Sequence, residues 1–136
     1  MGQFRPQQFF EESAMAFELY LAPEQKNGGR VNGYDLERHL YETGLIDHCL
    51  SLEDEAVKGW IANPSTYPKR FRRKTLLLWK SRMLSRSGSG KVIAIACLYW
   101  DDDNEDQDDR VVENWESLEA LWSARSPVLL RRHRQS

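Results

Sequence analysis

The run at residues 91–100, Lys-Val-Ile-Ala-Ile-Ala-Cys-Leu-Tyr-Trp, constrains the fold of this chain more than any other stretch. In a β-strand, successive side chains point to opposite faces of the sheet. One face of this run would carry Val, Ala, Ala, Leu and Trp, and the other Ile, Ile, Cys and Tyr. Because both faces are apolar, the strand needs cover on both sides, and we expect it at the centre of a sheet.

Three further strand-like runs are separated from it by turn-rich segments. Residues 75–84 precede it across a Ser/Gly turn, residues 110–115 follow an acidic stretch, and residues 127–131 form a last short strand. Strands in this order are typical of an antiparallel meander. The apolar spacing after residue 115 indicates a short helical turn that contains Leu118, Leu121 and Trp122.

The N-terminal half has helical spacing instead. After Pro6, one apolar stripe predicts a first helix. That stripe contains Phe10, Ala14, Phe17 and Leu21. A second helix is expected after Asn32, a good N-cap, with Gly44 as its stop. Ser51 is expected to cap a third helix, which ends at residues 63–64, Asn-Pro.

Together these elements predict an α+β fold in a single domain, residues 1–136. Two or three N-terminal helices lie in a helical half (1–63), and a four-stranded antiparallel meander lies in a β-rich half (69–131). Residues 132–136 are expected to be a frayed tail. The separation of helices from strands favours α+β over a parallel α/β fold. A small, partly open SH3-like barrel is one form that such a meander takes.

Charge is unevenly distributed, although the net charge is only −2. Residues 69–91 contain nine basic and no acidic residues, whereas residues 101–119 contain ten acidic residues and one arginine. The net charge gives no general case for nucleic acid or an acidic membrane as partner. No apolar stretch approaches the roughly 18 residues of a membrane-spanning helix, and no signal-peptide pattern is seen, so no membrane contact is predicted.

The first candidate site is the basic run at residues 69–74, which would bind nucleic acid or another anion. It consists of Lys69, Arg70, Phe71, Arg72, Arg73 and Lys74. The cations would contact phosphates, and an exposed ring would stack on a base. The alternative is a solvated entry to a strand, because edge strands also carry Lys and Arg against unwanted pairing.

The second candidate site is an aromatic groove for an extended peptide. Its residues would be Trp79, Tyr99, Trp100 and Trp115. The alternative is that these large side chains form the core and the cover of the sheet.

The sequence contains no strong catalytic or metal motif. The stretch 101–109 has seven carboxylates, but it lacks the glycine and the final glutamate of an EF-hand loop, so a solvated hairpin tip is expected. The adjacent His48 and Cys49 are the best hint of an enzyme, but the histidines and cysteines lack zinc-site spacing. We expect no cofactor, no metal and two free buried thiols.

The predicted function is a non-enzymatic, cytoplasmic binding module whose partner is another protein. The alternative is a nucleic-acid-binding accessory protein that uses residues 69–74. An enzyme built around His48 and Cys49 is the third hypothesis. The sequence does not identify the partner.

Overall fold

The computed structural model describes residues 16–87, 90–102 and 110–132. Within these ranges the chain forms two α-helices, α1 (Gly33–Glu42) and α2 (Glu55–Ala62), and seven strands. The strands are β1 (Phe17–Tyr20), β2 (Val31–Asn32), β3 (Leu76–Ser87), β4 (Gly90–Asp101), β5 (Arg110–Ser117), β6 (Leu121–Trp122) and β7 (Val128–Arg131).

Five strands form one open sheet in the order β1-β7-β3-β4-β5. Its pairs are antiparallel except for a parallel contact between β3 and β7 at Leu77 and Val128. The four predicted strands are present as β3, β4, β5 and β7, but only β3, β4 and β5 form the predicted meander. Strand β7 lies beside β3 instead of β5, and β1 adds a fifth strand that was not predicted. The SH3-like barrel is wrong, because β1 and β5 lie at opposite edges and the sheet does not close. In an open sheet, strands that are apolar on both faces can be buried, because each face of the sheet can be covered by its own elements.

Strand β4 is buried on both faces, as its sequence predicts. Residues 94–98 are all buried, and β4 lies between β3 and β5, one place from the middle of the sheet. On one face, Ile95 belongs to a core that includes Leu36 of α1, which we call the α1-side core. On the other, Leu98 belongs to a core that includes Trp60 of α2, the α2-side core. One helix therefore covers each face.

The first predicted helix is wrong over the residues of β1. Phe17–Tyr20 is an edge strand paired with β7, with Phe17 opposite Arg131 and Tyr20 opposite Val128. Phe17 is buried in the α2-side core and Glu18 is exposed, an alternation that fits a strand. Pairing with β7 has overridden the helical spacing. The earlier part of that predicted helix, up to residue 15, lies outside the described residues.

Helix α1 begins and ends as predicted. The side-chain oxygen of Asn32 accepts a hydrogen bond from the Asp35 N–H at 2.9 Å. Gly44 follows the helix with φ +76°, a conformation that glycine adopts without strain. Its first residue, Gly33, packs closely on Leu118, since a Cβ there would lie 2.4 Å from the Leu118 carbonyl oxygen.

The helical turn predicted around Leu118, Leu121 and Trp122 is wrong. Leu121–Trp122 forms β6, which pairs with β2 in a second, two-stranded sheet. Trp122 is buried in the α1-side core. Leu118 is buried in the same core, whereas Leu121 is 61% exposed, and the backbone of Leu121–Trp122 is extended instead of helical.

Helix α2 has a different N-cap from the predicted one. The Asp54 side chain accepts a hydrogen bond from the Ala56 N–H at 2.9 Å, whereas the Ser51 hydroxyl accepts one from Glu53 N–H in the preceding turn. Both residue types can cap a helix, and the start of the helix decides which one does. The helix ends before residues 63–64, as predicted.

Candidate binding surfaces

The predicted basic run lies in a 3₁₀ turn and its extension into β3. Phe71 is fully buried in the α2-side core, so no base can stack on it. Lys69 and Arg73 are exposed, and Lys74 is half-buried. None of these three cations makes an ion pair with a residue that the structure describes. The predicted site thus loses its aromatic member and keeps its charge.

Three arginines lie over rings of the α2-side core. The guanidinium carbon of Arg72 lies 4.0 Å from the ring centroid of Trp100. The guanidinium carbon of Arg70 lies 4.6 Å from the centroid of Phe71, and that of Arg131 lies 5.1 Å from the centroid of Phe17. Trp60 and Tyr67 connect these rings, with centroids 5.2–6.0 Å apart. Cation–π contacts hold the guanidiniums in place. We call this set the arginine-capped aromatic cluster: Phe17, Trp60, Tyr67, Phe71, Trp100, Arg70, Arg72 and Arg131.

The positive charge of this cluster is only partly compensated. Arg131 forms an ion pair with Asp54. Burial and the neighbouring charge of Arg132 lower the pKa of Arg70. Arg72 has no carboxylate partner among the described residues, and its Nε is buried without a hydrogen bond, as is the Tyr67 hydroxyl. Guanidiniums held in this way suit carboxylate or phosphate groups.

The residues of the predicted aromatic groove do not share one face. Trp79 is fully buried in the α1-side core, edge-on to Trp122 with ring centroids 5.6 Å apart. Tyr99 points to that same face, because it is two residues from Cys97 along β4. Trp100 and Trp115 pack on the α2-side core. The strand alternation therefore separates the four rings into two pairs.

A surface that the sequence did not reveal is the end of the β3–β4 hairpin. Residues 82–87 of β3 pair with residues 90–95 of β4, but β5 reaches β4 only as far as Ala94, and β7 contacts β3 only at Leu77. Leu84 is 68% exposed and Met83 is 45% exposed. Their exposure depends on where the neighbouring strands end, which no local pattern shows.

The same hairpin carries several cations. Arg82 forms an ion pair with Glu37 of α1, and Arg86 lies directly opposite Lys91, both exposed. We define the hairpin surface as Arg82, Met83, Leu84, Arg86 and Lys91.

The ion pair at Glu37 ties the hairpin to α1. Trp79 Nε1 donates a hydrogen bond to Glu37 at 2.9 Å. Burial opposes ionisation of this carboxyl, but the hydrogen bonds from Arg82 and Trp79 outweigh it and lower the pKa of Glu37. The Glu37 hydrogen bond and, to a smaller extent, nearby Tyr41 raise the pKa of Arg82. Tyr41 itself is 60% exposed, so an aromatic ring borders the hairpin surface.

The geometry gives no support to catalysis at Cys49. Cys49 and Cys97 are free and buried, and burial raises the pKa of each thiol to about 12. A protonated, buried thiol is a poor nucleophile at neutral pH. In the described ranges, no three His, Cys, Asp or Glu side chains are grouped so as to hold a metal ion. The acidic residues 103–109 and the tail residues 133–136 lie outside those ranges.

Comparison of the chain with protein-family models, with curated proteins and with solved structures finds no match. No helix within the described ranges is long and apolar enough to cross a membrane.

Proposed function

We propose that this protein is a small, non-enzymatic, cytoplasmic binding module that contacts another protein through its hairpin surface. The observation that carries the proposal is the exposure of Leu84 and Met83 on a hairpin that extends past the neighbouring strands. Leu84 is exposed on the face toward α1 and Met83 on the other face, so each face of the hairpin end offers one large apolar side chain, and exposed apolar surface is found where proteins bind. Arg82 and nearby Tyr41 are residue types that are frequent at interface hot spots.

The two buried free thiols support a reducing compartment, because structural disulfides belong to oxidising ones. The apolar residues of β4, which could have formed an exposed binding face, are instead used in the two cores. The hairpin surface thus combines the most exposed leucine of the described residues with uncovered strand backbone.

Site-specific photo-crosslinking in cells tests this proposal. A photoreactive amino acid in place of Leu84 should give a discrete protein adduct, and the same amino acid in place of exposed Lys26 should not. With the crosslinker in place of Met83, the further substitution Leu84→Asp should weaken the adduct, whereas nuclease treatment should leave it unchanged. Equal adducts from positions 84 and 26, or none from position 84, would contradict the proposal.

The second candidate function is binding of nucleic acid at the basic run. It is favoured by Lys69, Arg73 and Lys74, which have no described carboxylate partner, and by Arg72 held on Trp100. The burial of Phe71 weighs against it, because the run then offers no ring of its own for a base.

Salt dependence separates the two functions. About four phosphate contacts would give a slope near −3 in log affinity against log salt, at about −0.7 to −0.9 per contact. Changing both Arg72 and Arg73 to Gln should make that slope shallower by about two contacts' worth. We expect only weak binding, with a dissociation constant no tighter than the non-specific range of about 10⁻⁴–10⁻⁶ M. Sub-micromolar, salt-sensitive binding of nucleic acid would make nucleic-acid binding the favoured function in place of protein binding.

A further inference from the structure

The free edge of β3 indicates how a partner would bind. We propose that the partner adds an extended strand to β3 at residues 82–87. It would place apolar side chains opposite Met83 and Leu84 and an acidic side chain opposite Arg86. This inference rests on the proposed function, because it specifies the chemistry of the protein that the hairpin surface binds.

Along this edge, hydrogen bonds with residues 50–52 reach β3 only as far as residue 81. The Lys80 N–H donates to the Leu50 carbonyl at 3.1 Å, and the Ser81 hydroxyl accepts from the Leu52 N–H at 2.7 Å. Beyond them, no strand within the described residues pairs with this edge. An uncovered edge offers a row of N–H and C=O groups, which is the template that an added peptide strand uses.

The side chains then specify the partner's sequence. Arg82, Leu84 and Arg86 alternate on the face toward α1, where Arg82 already binds Glu37. An added strand would therefore pair favourably if it placed an apolar side chain opposite Leu84 and an acidic side chain opposite Arg86.

The cross-strand pair Arg86–Lys91 adds a second reason for an acidic group. Like charges directly opposite each other destabilise a sheet. Neither cation forms an ion pair with a described residue, so a carboxylate placed here would relieve their repulsion. On the other face, exposed Met83 favours a second apolar neighbour. Charged edge residues also discourage self-pairing, but that role does not account for the exposed Leu84.

Two synthetic peptides test the inference on the full chain: Thr-Glu-Thr-Val-Val-Thr for antiparallel addition and its reverse for parallel addition. Amide NMR spectra should shift at residues 82–87 with one of them, and hydrogen exchange there should slow. Methylation of single peptide nitrogens should weaken binding at alternate positions only, because every second N–H of a strand points to a given neighbour. Each lost hydrogen bond should weaken binding about fivefold or more.

A charge exchange tests the register. Arg86→Glu should weaken binding of the glutamate peptide, and a lysine in place of that glutamate should restore it. Arg30→Glu makes the same charge change at an exposed position that is not part of the hairpin, and it should have little effect.

Failure of both peptides to bind, a uniform effect of methylation, or no restoration by lysine would each overturn strand addition. If the adduct from position 84 persists in cells while the peptides fail, the protein-binding function stands and strand addition does not. If that adduct is also absent, both proposals fail.

Discussion

Changing Ile95 and Leu98 to alanine, singly and together, tests whether β4 is buried on both faces. Both side chains have no exposed surface, and they belong to opposite cores. Truncation of a buried Leu or Ile to Ala costs about 2–5 kcal/mol, because apolar burial is lost and a cavity remains. The two sites lie on opposite faces, so the double variant should lose about 4–10 kcal/mol. Since a domain's stability is about 5–15 kcal/mol, the double variant should be close to unfolding.

Urea unfolding followed by tryptophan fluorescence measures these losses. The matched control is Tyr99→Ala on the same strand, where the side chain is 36% exposed and the cost should be about 1 kcal/mol or less. Ile95→Asp should cost several kcal/mol, because the nearest cation across the strand, Arg82, is already bound to Glu37. If only one of the two alanine variants loses more than about 1 kcal/mol, the sheet is covered on one face and the reasoning is wrong.

Cys49 and Cys97 should react slowly with a thiol reagent at neutral pH, because burial raises each thiol pKa to about 12; rapid modification of Cys49 would revive the enzyme hypothesis. Glu37→Gln should lower the free energy of unfolding by about 1–2 kcal/mol at pH 7. The ionised Glu37 carboxylate stabilises the fold above the ordinary pKa of 4.5, and this stabilisation disappears as the pH falls through the lowered pKa of Glu37. The variant and the wild type should therefore have the same free energy of unfolding in acid. A difference in the free energy of unfolding that stays constant with pH would show that the carboxylate charge is not its cause. Replacement of residues 102–109 by an Asn-Gly turn should leave the melting temperature unchanged or higher, and calcium titration should give no saturable heat; a micromolar calcium isotherm would contradict the solvated-tip prediction.

The sequence by itself predicted the elements whose signals are local. The two apolar faces of residues 91–100 required cover on both sides, and α1 and α2 supply it. The Asn32 cap and the Gly44 stop fixed the ends of α1, because capping depends on a few adjacent residues. The basic run was also visible in the sequence, since charge needs no tertiary information to be counted.

The tertiary structure decided everything that depends on a distant partner. Phe17 lies in a run of apolar residues with helical spacing, but pairing with β7 makes it part of a strand. Phe71 lies among cations in sequence, yet its ring is buried while Arg70 and Arg72 lie over rings. Leu84 belongs to a strand like its neighbours, and it is exposed in the part of β3 that extends past the paired region of β5 and β7. Pairing and burial arise from contacts between residues far apart in the chain, so periodicity within one segment could not predict them.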